Sequence, residues 1–241
     1  MSIETKQIML GDMRVDVVQK GIKNVHLSVY PPTGRVRISA PLRMDLDTIR
    51  IFAISKLSWI KRQKNKLLSQ ERETAREYIT RESHCYLGKR YLLKVIEHNA
   101  PPEVIVKHET VEMYIRPNTA IKKRKEILDE WYRQRLKGIL PEIIAKWEKR
   151  VRVKVVEFAI KKMKTKWGTC NIKAKRIWLN LELAKKPKRC LEYILVHEMI
   201  HLLERHHNER FLAYLDKYLP QWHFYKEELN RFPICHTNWN Y

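Results

Sequence analysis

The sequence predicts an α+β protein, and three observations carry that reading. Short alternating segments separated by turn residues fill residues 1–117. One long helical pattern follows over 118–150. The remainder, 151–241, combines a strand, a hairpin and helices, and one of those helices carries two histidines and a glutamate inside an apolar run. The expected organisation is therefore a β-rich N-terminal region with one helix, a long connecting helix, and a C-terminal domain in which the histidine helix packs on a small sheet.

Each element has its own signal. KQIML and MRVDVVQ flank the turn pair Gly11-Asp12, and VHLSVY and RVRIS flank the turn PPTG. In RVRIS, Val36 and Ile38 share one face and Arg35 and Arg37 the other, as a half-exposed antiparallel strand requires. A helix follows. Asp45 or Asp47 can cap it, and Leu46, Ile49, Phe52, Ala53, Leu57 and Ile60 mark its apolar face. Strand patterns return at YLGKRYLLKVIE, EVIVK and VEMYIR. From Ile121 to Glu148 the apolar positions trace a helix that Pro141 is expected to interrupt. VKVVEFAI reads as a strand, and KTKWGTC and RIWLNLE as a hairpin turning at NIKAK. Pro187 suits the first turn of the histidine helix. Asn208 can cap ERFLAYLDKYL, which stops before Pro220, and 222–231 forms a last helix.

Composition narrows the class. With 241 residues and 44% hydrophobic content, the chain can build a core, which argues against disorder. No apolar run approaches the roughly 18 to 20 residues of a membrane span, and MSIETKQIML has no apolar signal core. A soluble cytoplasmic protein without a membrane partner is expected. Its four cysteines, Cys85, Cys170, Cys190 and Cys235, are far apart and indicate neither a zinc–thiolate site nor a disulfide framework. The net charge of +22 favours polyanions such as nucleic acid. The basic clusters, among them KRQKNK and KKPKR, are spread along the chain, and each alone reads as a solvated face.

The stretch YILVHEMIHLL poses the chemical question. Burying a carboxylate and two imidazoles without partners costs several kcal/mol. On a helix, His197 and His201 project together, one turn apart. Two imidazoles so placed can reach one metal ion, while Glu198, rotated away, can take a proton from a water that the metal activates. Zinc is the metal expected, because it takes imidazole and leaves room for water when a protein supplies three ligands. His207 is the expected third ligand. The spacing HExxHxxxxxH matches the metzincin histidines but has Glu204 where that pattern has glycine, so the helix is expected to end through Arg205 to Asn208. His206 is its rival, with Asp216, Glu227 and Glu228 as weaker alternatives.

Beyond those positions, KTKWGTC, IWLNLELAKKP and LEYILVHEMIHLLERHHNERF resemble the YgjP-like metallopeptidase family, relatives of the SprT-like zincins. The resemblance rests on a lysine-flanked WGTC with Thr169 in place of the usual serine, an I-x-L-N strand, and His207 and Phe211 after the HExxH helix. VRISAP, Trp59-Ile60-Lys61 and YLGKRYLL match more loosely. The resemblance implies a zincin-like fold, a zinc ion held by His197, His201 and His207, Glu198 as the base, and a peptide or protein substrate. The stretch after Pro220 has no counterpart in it.

Three function classes follow. The first is a zinc metallopeptidase, acting near nucleic acid if the charge is used. The second is a metal-dependent nucleotide phosphohydrolase. The third is a basic nucleic-acid-binding module with a structural zinc, which would need a fourth ligand such as Cys170 or Cys235. Trp167-Gly168 has two readings: an edge that takes substrate as an added strand, or packing on the histidine helix with a bend. Tyr214, Tyr218 and His223 are candidate stabilisers beside the metal and equally ordinary core or surface residues. No histidine pairing argues for Cys170 as a nucleophile.

Overall fold

The computed structural model describes residues 5–30, 33–69, 76–163 and 166–231. The described residues form two compact units, one up to residue 69 and the other from residue 76 to 231. It is an α+β protein with six α-helices and three small sheets among the described residues.

In the first unit, β1 (Thr5–Leu10), β2 (Met13–Lys20), β3 (His26–Tyr30) and β4 (Arg35–Pro41) form a sheet in the order β1-β2-β4-β3. Val15, Val17, Val36 and Ile38 fill its core. The buried Asp16 is satisfied by the Gln7 amide at 3.0 Å and by an ion pair with Arg35. One helix was expected next, and two are present: α1 (Leu46–Ser55) and α2 (Leu57–Ser69). The Ser55 hydroxyl donates to the Phe52 carbonyl at 2.8 Å, and that carbonyl is the helical partner of the Lys56 amide. Lys56 turns instead to Ala53, at 3.2 Å, and the helix breaks there. Asp45 is the cap, accepting from the Thr48 amide at 2.8 Å.

In the second unit, β5 (Ser83–Tyr86), β6 (Lys89–Glu97), β7 (Glu103–Val106) and β8 (Thr110–Ile115) form a sheet in the order β5-β6-β8-β7. Its topology repeats that of the first sheet, each having one parallel pair between two antiparallel ones. Leu87 and Gly88 turn the β5–β6 hairpin at positive φ. A side chain on Gly88 would start 2.8 Å from Cγ of Pro187, so glycine is required twice over. The turn's amides donate to the carbonyls of Ala184 and Lys185 at 2.8 and 3.3 Å. The hairpin thus clips the chain just ahead of the histidine helix.

Helix α3 (Ile121–Val151) runs unbroken through Pro141, against expectation. The proline ring is exposed, and the buried neighbours Leu140, Ile143 and Trp147 hold the helix together despite the lost backbone bond. Strands β9 (Glu157–Lys161), β10 (Gly168–Asn171) and β11 (Arg176–Asn180) form the third sheet, in the order β10-β11-β9. β9 is shorter than the strand expected over VKVVEFAI, and the β10–β11 hairpin is present as read. A short 3-10 helix, Leu181–Lys185, leads to α4 (Lys188–Ile200), then α5 (Glu209–Tyr218) and α6 (Trp222–Arg231). Glu192 ties α4 to α3, accepting from Trp147 Nε1 at 3.2 Å and Lys146 Nζ at 3.0 Å. Among the described residues no helix is long and apolar enough to cross a membrane.

Candidate metal centre

Helix α4 buries Leu191, Leu195, Val196 and Met199 and presents its polar trio at its C-terminal end. Pro187 stands at the N-cap rather than in the first turn. His201 closes the helix at φ −61°, ψ −18°, still helical, so its one-turn relation to His197 is kept and the rings lie 5.1 Å apart. The exit differs from expectation. The amides of Leu202 and Glu204 bond back to Met199 and Ile200 at 3.0 and 2.9 Å, and Asn208 is extended. Asn208 is engaged otherwise: its side chain caps α5 by accepting from the Phe211 amide at 3.0 Å, a role that requires extended backbone.

That exit brings His207 back over α4. One ligand atom from each of His197, His201 and His207 lies within 4.8 Å of the others. His197 Nε2 and His207 Nε2 are 3.0 Å apart. Metal bonds of about 2.0–2.1 Å at a tetrahedral centre place ligand nitrogens about 3.4 Å apart, so the trio has the right span for one zinc ion. His201 Nδ1 lies 3.1 Å from the Glu204 carbonyl, an acceptor that fixes this nitrogen as the protonated one and frees Nε2. Burial, with His201 and His207 nearby, holds His197 down to about 3, and burial likewise lowers His201. Both rings are therefore neutral, as metal ligands must be.

Phe211 packs on all three rings, at centroid distances of 4.9, 4.8 and 4.7 Å to His197, His201 and His207. His197 Nδ1 is buried without an acceptor among the described residues, so packing holds this ring in place. Glu198 is 6% exposed. Burial pushes its carboxyl up to about 7, with Lys166 pulling the other way. Across from it stands β10. A Cβ on Gly168 would lie 2.7 Å from both Cγ and Oε1 of Glu198, so the bare glycine makes room for the carboxylate. A cavity of about 540 Å³ lies over the trio, lined also by Glu198, Trp167 and Gly168.

The other candidates lie elsewhere. His206 is exposed and outside the trio. Asp216 accepts from Trp222 Nε1 at 2.7 Å, Glu227 faces Arg231 at 3.7 Å, and Glu228 pairs with Arg189. Tyr214 stacks on Tyr218, and His223 on Trp222, and none of these lines the cavity. Cys170 lines it, but burial and the Glu198 charge push its thiol up to about 11, unsuited to nucleophilic attack. Cys235 lies outside the described residues.

Two contributors carry roles that the sequence did not assign to them. Asn180 donates to the carbonyls of Met163 and Lys166, both at 2.8 Å, and its amide donates to the Trp167 carbonyl at 2.8 Å. It anchors the chain leading into the Trp167-Gly168 step. The signal was the asparagine ending RIWLN, a poor strand former that needs a reason to be there. Lys186, buried at 4% exposure, sits over the Trp167 ring at 5.7 Å.

No curated protein matches the chain. The family model described as YgjP-like, metallopeptidase domain, matches residues 23–232. With that match covering most of its length, the chain belongs to the YgjP-like metallopeptidase family.

Proposed function

We propose that the chain is a zinc-dependent peptidase with a zincin-like catalytic unit, in which His197, His201 and His207 hold the ion and Glu198 is the general base. The observation that carries this reading is the convergence of three imidazoles beside a buried carboxylate that has no ion-pair partner among the described residues. Bound zinc supplies Lewis-acid activation of water and polarisation of a carbonyl. The remaining chemistry belongs to the chain. Glu198 accepts a proton as water attacks the peptide carbonyl, then delivers it to the departing amine. A carboxylate that binds a proton near neutral pH can do both. The close approach of Gly168 leaves room for the carboxylate where Glu198 lines the cavity.

The sheet supports a mode of substrate binding. β10 is the last strand in the order β10-β11-β9, so its outer edge carries no strand among the described residues. An extended peptide can pair there and pass over the trio. Asn180 and Lys186 hold the approach to that edge.

The test is elemental analysis of wild type, His197→Ala and His207→Ala. About one zinc per chain in wild type, lost in both variants, is the expected result. Loss in His197→Ala alone removes His207 from the ligand set. A closed four-ligand site would favour a structural zinc, and turnover of nucleotides in place of peptides would favour the phosphohydrolase reading.

A further inference from the structure

The cavity over the trio adjoins a second, larger groove of about 700 Å³, with which it shares Thr169, Cys170, Ile172, His201 and Arg205. The groove runs along the third sheet from β10 and β11 to the exit of α4, where His201, Leu202 and Leu203 line it. Strand alternation explains its composition. Ile177 and Leu179 point into the core, so their neighbours Arg176 and Trp178 point out, beside Thr169 and Asn171 of β10.

Its lining contains three cations, Lys173, Arg176 and Arg205, and no Asp or Glu. The positive charge of the whole chain does not force this. The groove on α6 is lined by Glu227 and Glu228 with Arg231. Arg176 shares its charge with the exposed Glu157 at 3.5 Å, whereas no ion pair of Lys173 or Arg205 is formed among the described residues. The aromatic floor is already covered: Lys161 Nζ lies 3.1 Å, and Arg176 Cζ 4.6 Å, from the centroid of the Trp178 ring. A ring so capped offers N–H donors rather than a bare face. Donors favour carboxylates, whereas a nucleobase would need the face. Pockets of roughly 300–1,000 Å³ accept ligands of several residues' bulk.

We infer that this groove is a substrate subsite for acidic side chains, so that the substrates are polypeptides with Asp or Glu residues flanking the cleaved bond. The inference rests on the peptidase reading, and its test separates the two. Zinc-loaded Glu198→Gln protein, full length, binds fluorescent peptides of one length that are rich in Glu, Gln or Lys, measured by polarisation at low salt. The Glu-rich peptide is expected to bind about tenfold more tightly than the Gln-rich one, as two or three partly exposed charge pairs would give, and the gap shrinks in salt. In a Lys173→Glu/Arg205→Glu variant of the same protein the preference disappears or inverts. Equal binding of the Glu- and Gln-rich peptides overturns the assignment. A preference that survives the double variant also overturns it, placing the effect on the general charge. So does a single-stranded oligonucleotide that binds more tightly than the acidic peptide and loses affinity in the double variant. Zinc content of the same preparations reports on the trio independently. Its absence would sink the metal reading, while the peptide series still reports on the groove.

Discussion

Glu182 and Glu198 are both buried in the second unit, and their surroundings drive them in opposite directions. At Glu182, in the short 3-10 helix, burial alone would raise the carboxyl. Lys185, 2.7 Å away, outweighs this with help from Lys162 and Lys186, and the group stays below the usual carboxylate range. At Glu198, in α4, burial prevails over the exposed Lys166 and takes the carboxyl up to about 7. Depth is nearly the same. The charge partner differs, and it separates a carboxylate that holds structure from one available for chemistry.

The largest expected effect lies at the available end of the pair. Glu198→Gln keeps the shape and loses the base. Peptide hydrolysis should fall about 10²–10⁴-fold in kcat/KM. Zinc content should hold, and the Tm of metal-free protein should stay level or rise, because an unpaired buried carboxylate is removed. Hydrolysis at the wild-type rate would mean that Glu198 is no more chemical than Glu182. The next effect lies at the structural end. Glu182→Gln leaves Lys185 facing a neutral amide and should cost about 3 kcal/mol in urea unfolding, the low end for a broken buried pair because Lys185 has other contacts. Adding Lys185→Met should recover part of that loss. A cost below about 0.5 kcal/mol would show that the pair holds nothing.

The sequence distinguishes these two glutamates only in part. Glu198 was legible because two histidines one turn apart on an apolar helix need a shared explanation, and helical geometry makes that a local inference. Glu182 was not, because its partner's proximity depends on a 3-10 turn that pattern reading does not separate from a strand end. The α+β class and most elements were readable from periodicity and turn pairs such as Gly11-Asp12. Pro141 misled because the residues that hold α3 together are tertiary contacts. The break at Lys56 misled because one serine hydroxyl diverts one carbonyl. The approach of Gly168 to Glu198 joins a strand to a distant helix, and no spacing rule reaches that far.

Gly168 gives the third test, because a change there moves Glu198 without altering it. With Ala at 168, Cβ would start 2.7 Å from Oε1 and Cγ, so either the carboxylate swings or β10 retreats. Displacement on the order of 1 Å costs about 10²-fold when geometry is critical, so kcat should drop about 10- to 100-fold. Zinc content should be unchanged, and KM should rise only if β10 retreats. A kcat equal to wild type would mean that the position of Glu198 is not what the glycine protects.

The smallest effect is a slope. Glu182 is held below 4.5, its ordinary value, so it is deprotonated more readily in the folded chain than in the unfolded one. Above 4.5 both states are ionised and the stabilisation by Lys185 is fully present. As pH falls below 4.5, the unfolded chain takes up its proton first and the stabilisation drains away, at no more than about 1.4 kcal/mol per pH unit. The wild-type curve alone will not isolate this. Burial, with Arg76 and Lys185, pushes His84 down to about 3 despite Glu82 at 3.6 Å. The unfolded chain therefore gains a proton there from about pH 6.5 downward, and stability falls early. Subtracting the Glu182→Gln curve removes most of the His84 contribution, which both proteins share. The difference should be flat from pH 7 to about 5.5 and should close below 4.5. A difference that closes from pH 6.5 would assign the slope to His84, and a difference that never closes would mean that Glu182 contributes through its shape and not its charge.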